Sequence, residues 1–461
     1  MTAFQRAAAC LVLCHALAAC GPHSAGETPS SDQVETAAGF DGAWRGTLEI
    51  GAQSLRLELV LEEGEDGWSG ALVSLDQSAS GMAMTMLTVE EDAISFAIDP
   101  PGLAYDGVRE GDAIEGRFRQ GPVDAELNFE RGRFERATPP QYDVEGETTV
   151  TVEAGEVTLA GILRLAPGEA SGPGLVILSG SGPQDRDGTF GELRLYAALA
   201  EALAARGVSS LRLDDRGVGA STGPAAQAPS DLAADAAAAL ARLAREPRIA
   251  CTGFAGHSEG GLIALLAAPA AQPDFIVSLA GMHMSLEDTL FDQAEALIRA
   301  SGGTDDQIAG NRRLQEAMFA VFREALPGVH VGDALERALL DVGAPEALAR
   351  QQAQIWGQPY AVASFEADPA VAAAHYSGQV LGVFAEHDLQ VLPGPQSQAL
   401  LAAREGLATQ IVILEGVNHL FQETETGQMA EYGSARHPIS QDALSEIAGR
   451  TAALAAQACG G

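Results

Sequence analysis

Gly256-His257-Ser258-Glu259-Gly260-Gly261 is the stretch on which the reading of this chain turns. It fits the pattern G-x-S-x-G. An apolar run, residues 249–255, precedes it, and a helix-forming run, Leu262 to Ala267, follows. A strand that turns sharply into a helix strains the backbone at its corner, and side chains beside the corner would clash, which explains the glycines. Such a turn lifts the serine hydroxyl clear of the sheet and points the start of the next helix at it. Ser258 is therefore expected to be a nucleophile.

Working outward, the chain alternates strands and helices from about residue 145. Strands are predicted at 148–152, 157–165, 174–178, 209–213, 249–255, 275–279, 380–384 and 409–414. Helices are predicted to about 205, from an N-cap at Ser230 through Leu243, and over 441–456. This texture implies a parallel sheet covered by helices on both faces. Between 282 and 376 the rhythm stops and helical periodicity takes over, which reads as a cap inserted over the site. Before residue 139 the chain looks all-β. Leu55, Leu57, Leu59 and Leu61 alternate with Arg56, Glu58 and Val60, as do Ile94, Phe96 and Ile98 with their neighbours. Frequent Gly-containing turns suggest a small barrel or sandwich over 39–138. Pro139-Pro140 mark the boundary to a second domain over 145–458.

A serine hydroxyl needs a base to attack at neutral pH. On elbows of this kind the partners follow in the order acid, then histidine. His257 adjoins the serine and is expected to point away. His283, His330 and His375 precede the expected acid. His419, in Gly416-Val417-Asn418-His419 just past the last predicted strand, is the expected base, and His437 a surface residue. The acid should follow the strand at 380–384, where Asp388 is preferred and Glu386 is expected to be solvated. A carboxylate there would hold the imidazole in its working tautomer. Backbone N–H groups of Glu259 and of Ser181, in Ser179-Gly180-Ser181-Gly182-Pro183, are the expected oxyanion donors.

Composition narrows the alternatives. The 461 residues carry a formal net charge of −36, and the 27 basic residues are all arginine. That balance argues against nucleic acid as a partner and against adhesion to anionic lipid. Without lysine there is no Walker A lysine, Schiff base or Ser–Lys dyad. No run is apolar enough to span a bilayer. No metal constellation stands out. Asp185-Arg186-Asp187-Gly188 hints at calcium, but an EF-hand register would start on Pro183 and end on Arg194, so neither metal nor cofactor is expected. Arg6 and the apolar stretch to Ala19 read as a signal peptide over 1–19. Leu17-Ala18-Ala19-Cys20-Gly21 resembles a bacterial lipobox, with Cys20 the lipidated residue and 20–38 a flexible tether. Export is expected, to the outer membrane through that anchor or to the periplasm. Of five cysteines only Cys251 and Cys459 lie in the body. They are too few for a disulfide framework, and Cys251 is expected to be buried packing.

The blocks SGSGPQDRDG, RLDDRGVGAS, GHSEGG, EHDLQV and GVNHLFQ resemble, in that order, secreted bacterial α/β-hydrolase esterases of the EstD type. Their hydrolase domain is often labelled serine aminopeptidase-like. The likeness covers about 145–458, and the β module also looks like the one that precedes many such hydrolases. It implies an α/β-hydrolase fold with a helical cap and a triad on Ser258, Asp388 and His419. Asp215 and Arg216 fall on the family's DxRG turn, a supporting element. His387 stands where the family commonly has lysine. The implied activity is cleavage of small carboxylic esters through an acyl-enzyme. The alternatives are a serine aminopeptidase or acylaminoacyl peptidase, for which Asp288, Asp292 and Glu295 share a helix face, and a silent binding lipoprotein.

Overall fold

In the computed structural model, described residues run from 39 to 460, apart from 51–52, 65–66, 75–81, 99–101, 121–122, 135–145, 325–329 and 435. The expected signal peptide, Cys20 and the tether lie outside them. The chain divides into two compact units. One holds residues up to Tyr142 together with Leu326–Gly357, and the other holds Asp143–Ala325 with Gln358–Gly461. The helical stretch read as one cap is thus split. Helices Val331–Asp341 and Glu346–Trp356 group with the β-rich residues.

The β-rich unit is one ten-stranded antiparallel sheet. Its long strands are β1 (Gly42–Ile50), β2 (Gln53–Gly64) and β3 (Gly67–Ser74), then β4 (Met82–Ala83), β5 (Met86–Glu90), β6 (Ala93–Ile98), β7 (Leu103–Glu110), β8 (Ala113–Gln120), β9 (Val123–Glu126) and β10 (Phe129–Arg131). Between the end strands, Met84 N–H bonds Gly70 on one side and Thr85 N–H bonds Ala97 on the other, so the sheet curls into a nearly closed barrel. The period-2 pattern explains its filling. Leu57, Leu59 and Leu61 point inward with Trp44, Phe96, Tyr105 and Phe129. Glu58 departs from the pattern. It is fully buried on the other face, where Arg133 and the Phe134 N–H bond its carboxylate at 3.1 and 3.0 Å.

The second unit holds β11 (Glu147–Ala154), β12 (Val157–Arg164), β13 (Gly172–Leu178), β14 (Thr189–Phe190), β15 (Leu193–Arg194), β16 (Ser209–Leu213), β17 (Ile249–His257), β18 (Phe275–Leu279), β19 (Gln379–Ala385) and β20 (Thr409–Leu414). Apart from the small β14–β15 pair they form one sheet in the order β11-β12-β16-β13-β17-β18-β19-β20. From β16 to β20 all pairing is parallel, but β11 and β12 are an antiparallel hairpin, and β12 also meets β16 antiparallel. Gly155, with φ of 65°, makes the tight turn that the all-parallel expectation overlooked. Alternate residues sort the two faces. Leu175 and Ile177 pack with helices Leu195–Ala205 and Gln441–Cys459, whereas Val176 packs with helices Pro229–Leu243 and Glu259–Ala271. Helix Pro229–Leu243 starts two residues earlier than expected, with Ala228 at its N-cap rather than Ser230. Pro229 supplies a pre-set φ at the first helical position, and the Asp231 carboxylate accepts the Gln227 and Ala228 N–H groups.

Cys251, at the start of β17, is bonded to Cys459, at the end of the last helix, across 208 residues. The expectation that Cys251 serves only as buried packing is corrected. Separation in sequence says nothing about proximity once the last helix packs beside the strand that leads to Ser258.

Candidate active site

Ser258 sits between β17 and helix Glu259–Ala271, with φ 56° and ψ −121°. A non-glycine residue in this region costs about 1–3 kcal/mol and persists only where its surroundings fix it. Its N–H bonds Leu279 O at 2.8 Å, and its carbonyl accepts from Gly261 and Met282. The flanking glycines are needed for space. A Cβ at Gly256 would lie 2.0 Å from Gly260 O, one at Gly260 2.5 Å from Ser179 O, and one at Gly261 2.6 Å from Ser278 Oγ.

Beyond β19 and β20, two loops meet. His387 N–H bonds Val417 O at 3.0 Å, and Gly416 N–H bonds the Glu386 carboxylate at 2.9 Å. This brings His419 Nδ1 within 2.7 Å of Asp388 Oδ2, both groups buried. The other oxygen, Oδ1, accepts the N–H groups of Gln390 and Val391, each at 2.8 Å. A carboxylate facing Nδ1 accepts a hydrogen bond from the proton held there, which leaves the lone pair on Nε2. Asn418, fully buried, caps the same turn by accepting from Leu420 and Gln422 N–H. Glu386 is half-exposed, and His437 bonds Glu423 O at the surface. His330 and His375 are exposed, and His283 is buried against Ser278 Oγ.

The loop after β13 lies beside the elbow. Gly180 faces Ser258 closely enough that a Cβ there would be 3.2 Å from that of the serine. The Gly180 N–H is committed to Tyr196 Oη at 3.0 Å. Among the described residues the N–H groups of Ser181 and Glu259 have no hydrogen-bond acceptor. Asp215 braces the loop by accepting from Ser179 Oγ at 2.7 Å and from Gln184 N–H at 2.8 Å. Burial pushes its pKa up to about 7 despite those bonds. Arg216 makes a two-pronged pair with Asp235, and Arg186 pairs with Asp214. In the stretch that hinted at calcium, Asp187 is engaged by Arg212 and Arg194.

Three buried groups here escaped the sequence reading. His257 turns toward the loop of the expected base. Its Nε2 is 2.9 Å from His419 O, its ring is 4.8 Å from the His419 ring, and burial lowers its pKa to about 3. Glu259 turns its carboxyl inward, where Tyr360 Oη donates at 2.9 Å and the Ser181 hydroxyl also bonds it. Burial raises its pKa. Tyr196, from helix Leu195–Ala205, also bonds Gln184 Oε1 at 2.9 Å. Histidine or glutamate beside a nucleophile is a visible signal, but the partners lie 61 or more residues away in sequence. Nothing in the sequence marks Tyr196 or Tyr360.

Residues 187–382 match a family described as "Serine aminopeptidase, S33". That span contains Ser258 and ends before Asp388 and His419. Esterase EstD of Thermotoga maritima is 24% identical over 346 residues, which are 72% of this chain and 77% of that protein. Among solved structures, ferulic acid-bound Est1E of Butyrivibrio proteoclasticus aligns with a TM-score of 0.41 at 16% identity, over 67% of this chain and 99% of that one. The Pyrococcus furiosus esterase Pf2001 aligns with a TM-score of 0.39 at 14% identity, over 59% and 83%.

Proposed function

We propose that this chain, a hydrolase by its fold and relatives, cleaves short-chain carboxylic esters through Ser258, His419 and Asp388. The observation that carries the reading is the buried 2.7 Å His419–Asp388 pair in the loops beyond β19 and β20, on the sheet whose elbow bears Ser258. His419 Nε2 takes the proton from Ser258 Oγ as the oxygen attacks the ester carbonyl, and Asp388 stabilises the imidazolium. The N–H groups of Glu259 and Ser181 receive the oxyanion. Collapse expels the alcohol, which takes its proton from His419. Water, deprotonated by the same imidazole, then frees the acid from the acyl-enzyme.

The aminopeptidase alternative needs free carboxylates for a substrate ammonium. Of the acids that could serve, Glu259 is engaged by Tyr360, Glu287 by Arg323, Asp288 by Ser285 and Glu295 by Arg299, which leaves Asp292 as the one acid of that set without a hydrogen-bond or ion-pair partner among the described residues. Amides are also harder to cleave than esters because of resonance. The test is one plate of p-nitrophenyl acetate to palmitate beside amino-acid p-nitroanilides, with Ser258→Ala as control. Rapid turnover of the short esters alone is expected. Efficient anilide cleavage that requires a free amino group moves the assignment to the peptidase.

Export and a lipid anchor on Cys20 belong to the same proposal. The Cys251–Cys459 disulfide supports it, since such bonds persist in oxidising compartments. Expressed as Cys20→Ser, the protein should leave the membrane fraction and lose its lipid label. Unchanged membrane association would refute the anchor.

A further inference from the structure

We propose that His257 is a positioning residue that holds the loop of the base His419 in register with the oxyanion loop. The proposal rests on the reading of Ser258 and His419 as nucleophile and base. The chain of contacts begins on the backbone of the base itself. The His419 carbonyl can only accept, so the His257 nitrogen 2.9 Å from it, Nε2, carries the proton. Its Nδ1 then presents a lone pair that packs 3.4 Å from Tyr196 Oη as a contact between the two rings, because the single phenol proton goes to Gln184. That phenol oxygen accepts the Gly180 N–H at 3.0 Å and donates to Gln184 Oε1 at 2.9 Å. Gln184 Nε2 in turn bonds Ser181 O at 3.2 Å. One imidazole and one phenol thus lead from the peptide of the base to both ends of the loop that offers the Ser181 N–H.

Little else makes this connection. Among the described residues no backbone–backbone hydrogen bond joins 416–422 to 179–184. The strands that carry the two loops, β13 and β20, are not neighbours in the sheet. The bridge is also rigid. His257 and Tyr196 are 4% and 3% exposed, and the imidazole packs against the rings of His419, Tyr196 and Phe421. Burial keeps the imidazole neutral. The bridge matters because the base must meet Ser258 Oγ while the carbonyl oxygen meets two N–H groups, and a misplacement of about 1 Å costs about 10²-fold in rate.

The test uses the full-length protein, p-nitrophenyl butyrate, and the variants His257→Leu, His257→Gln, Tyr196→Phe and His257→Leu/Tyr196→Phe, with Ser258→Ala for reference. His257→Leu should lose about 10–100-fold in kcat with KM within about twofold, as expected for geometry disturbed without loss of binding. His257→Gln, whose amide N–H reaches toward the same carbonyl, should recover most of that loss. Tyr196→Phe should lower kcat by about 3–10-fold, and the double variant should be no slower than His257→Leu, because both cut one chain. If His257→Leu does not fold, Tyr196→Phe and His257→Gln carry the test, and wild-type kcat in Tyr196→Phe overturns the proposal. So does wild-type kcat in His257→Leu, a loss confined to KM, or losses that multiply in the double variant. Activity surviving in Ser258→Ala overturns the triad reading, and this proposal with it. An inactive Ser258→Ala beside an unimpaired His257→Leu overturns this proposal alone.

Discussion

Replacing Gly260 with alanine tests how tightly the oxyanion loop is seated on the nucleophile elbow. The added Cβ would lie 2.5 Å from Ser179 O, 2.6 Å from Leu178 O and 3.0 Å from Leu178 C. All three are backbone atoms, so no side chain can swing away. Ordinary contact begins at 3.4 Å, so the end of β13 must retreat by about 0.9 Å. Overpacking of this kind costs about 1–3 kcal/mol, but alanine regains up to about 1 kcal/mol over glycine inside a helix. Stability therefore falls only modestly, and kcat is the sharper readout. A retreat of that size carries Gly180 and Ser181 with it, and near-ångström misplacement of a catalytic group costs about 10²-fold. The assay is steady-state turnover of p-nitrophenyl butyrate beside thermal unfolding. Gly310→Ala is the control, because its Cβ would meet nothing nearer than the end of Arg313 at 3.9 Å, and it should gain about 0.5–1 kcal/mol without touching kcat. A Gly260→Ala protein with kcat within threefold of wild type would refute the reasoning, since the loop would then not lean on the elbow.

Asp388→Asn should lower kcat by about 10⁴-fold through the wrong histidine tautomer, whereas Glu386→Gln, which can still accept the Gly416 N–H, should stay near wild type; the reverse ranking would reassign the acid. His283 is held neutral by burial and by the charge of Arg404, its pKa lowered from 6.5 to about 3. An unfolded chain therefore binds a proton that the folded one refuses, so this term is full above pH 6.5 and is lost as pH falls toward 3. Denaturant titrations should show wild type losing up to about 1.4 kcal/mol per pH unit relative to His283→Gln across that window, and parallel curves would contradict the burial of the ring. Reducing Cys251–Cys459, or replacing Cys459 with serine, should destabilise by about 2–5 kcal/mol, and a melting temperature indifferent to reductant would argue against the bond.

The parts of this molecule legible in its sequence are those set by local geometry. β16 and β18 fall where their apolar runs lie, because buried parallel strands need side chains that suit both faces. Ser258 was legible because only glycines fit around it. Asp388 and His419 followed from where strands stop. What was not legible depends on pairings that no local rule encodes. Cys251 finds Cys459, Glu259 finds Tyr360, and His257 finds the peptide of His419, across separations of 208, 101 and 162 residues. The start of helix Pro229–Leu243 failed for a different reason. Ser230 has the right chemistry for a cap, but the fixed φ of Pro229 sets the first turn before it.

The buried groups around Ser258 share an electrostatic logic that their separate positions conceal. On the proposed chemistry, positive charge develops on His419 and negative charge beside the N–H groups of Glu259 and Ser181. A second imidazolium at His257, its ring 4.8 Å from that of His419, would oppose the first, and burial holds His257 neutral. An ionised Glu259 would oppose the oxyanion, and burial shifts that carboxyl toward its protonated form. Asp215, which braces the same loop, is shifted the same way. Asp388, also buried, receives two backbone N–H bonds besides the one from His419. The enclosure of the elbow thus suppresses charges that would compete with the transition state.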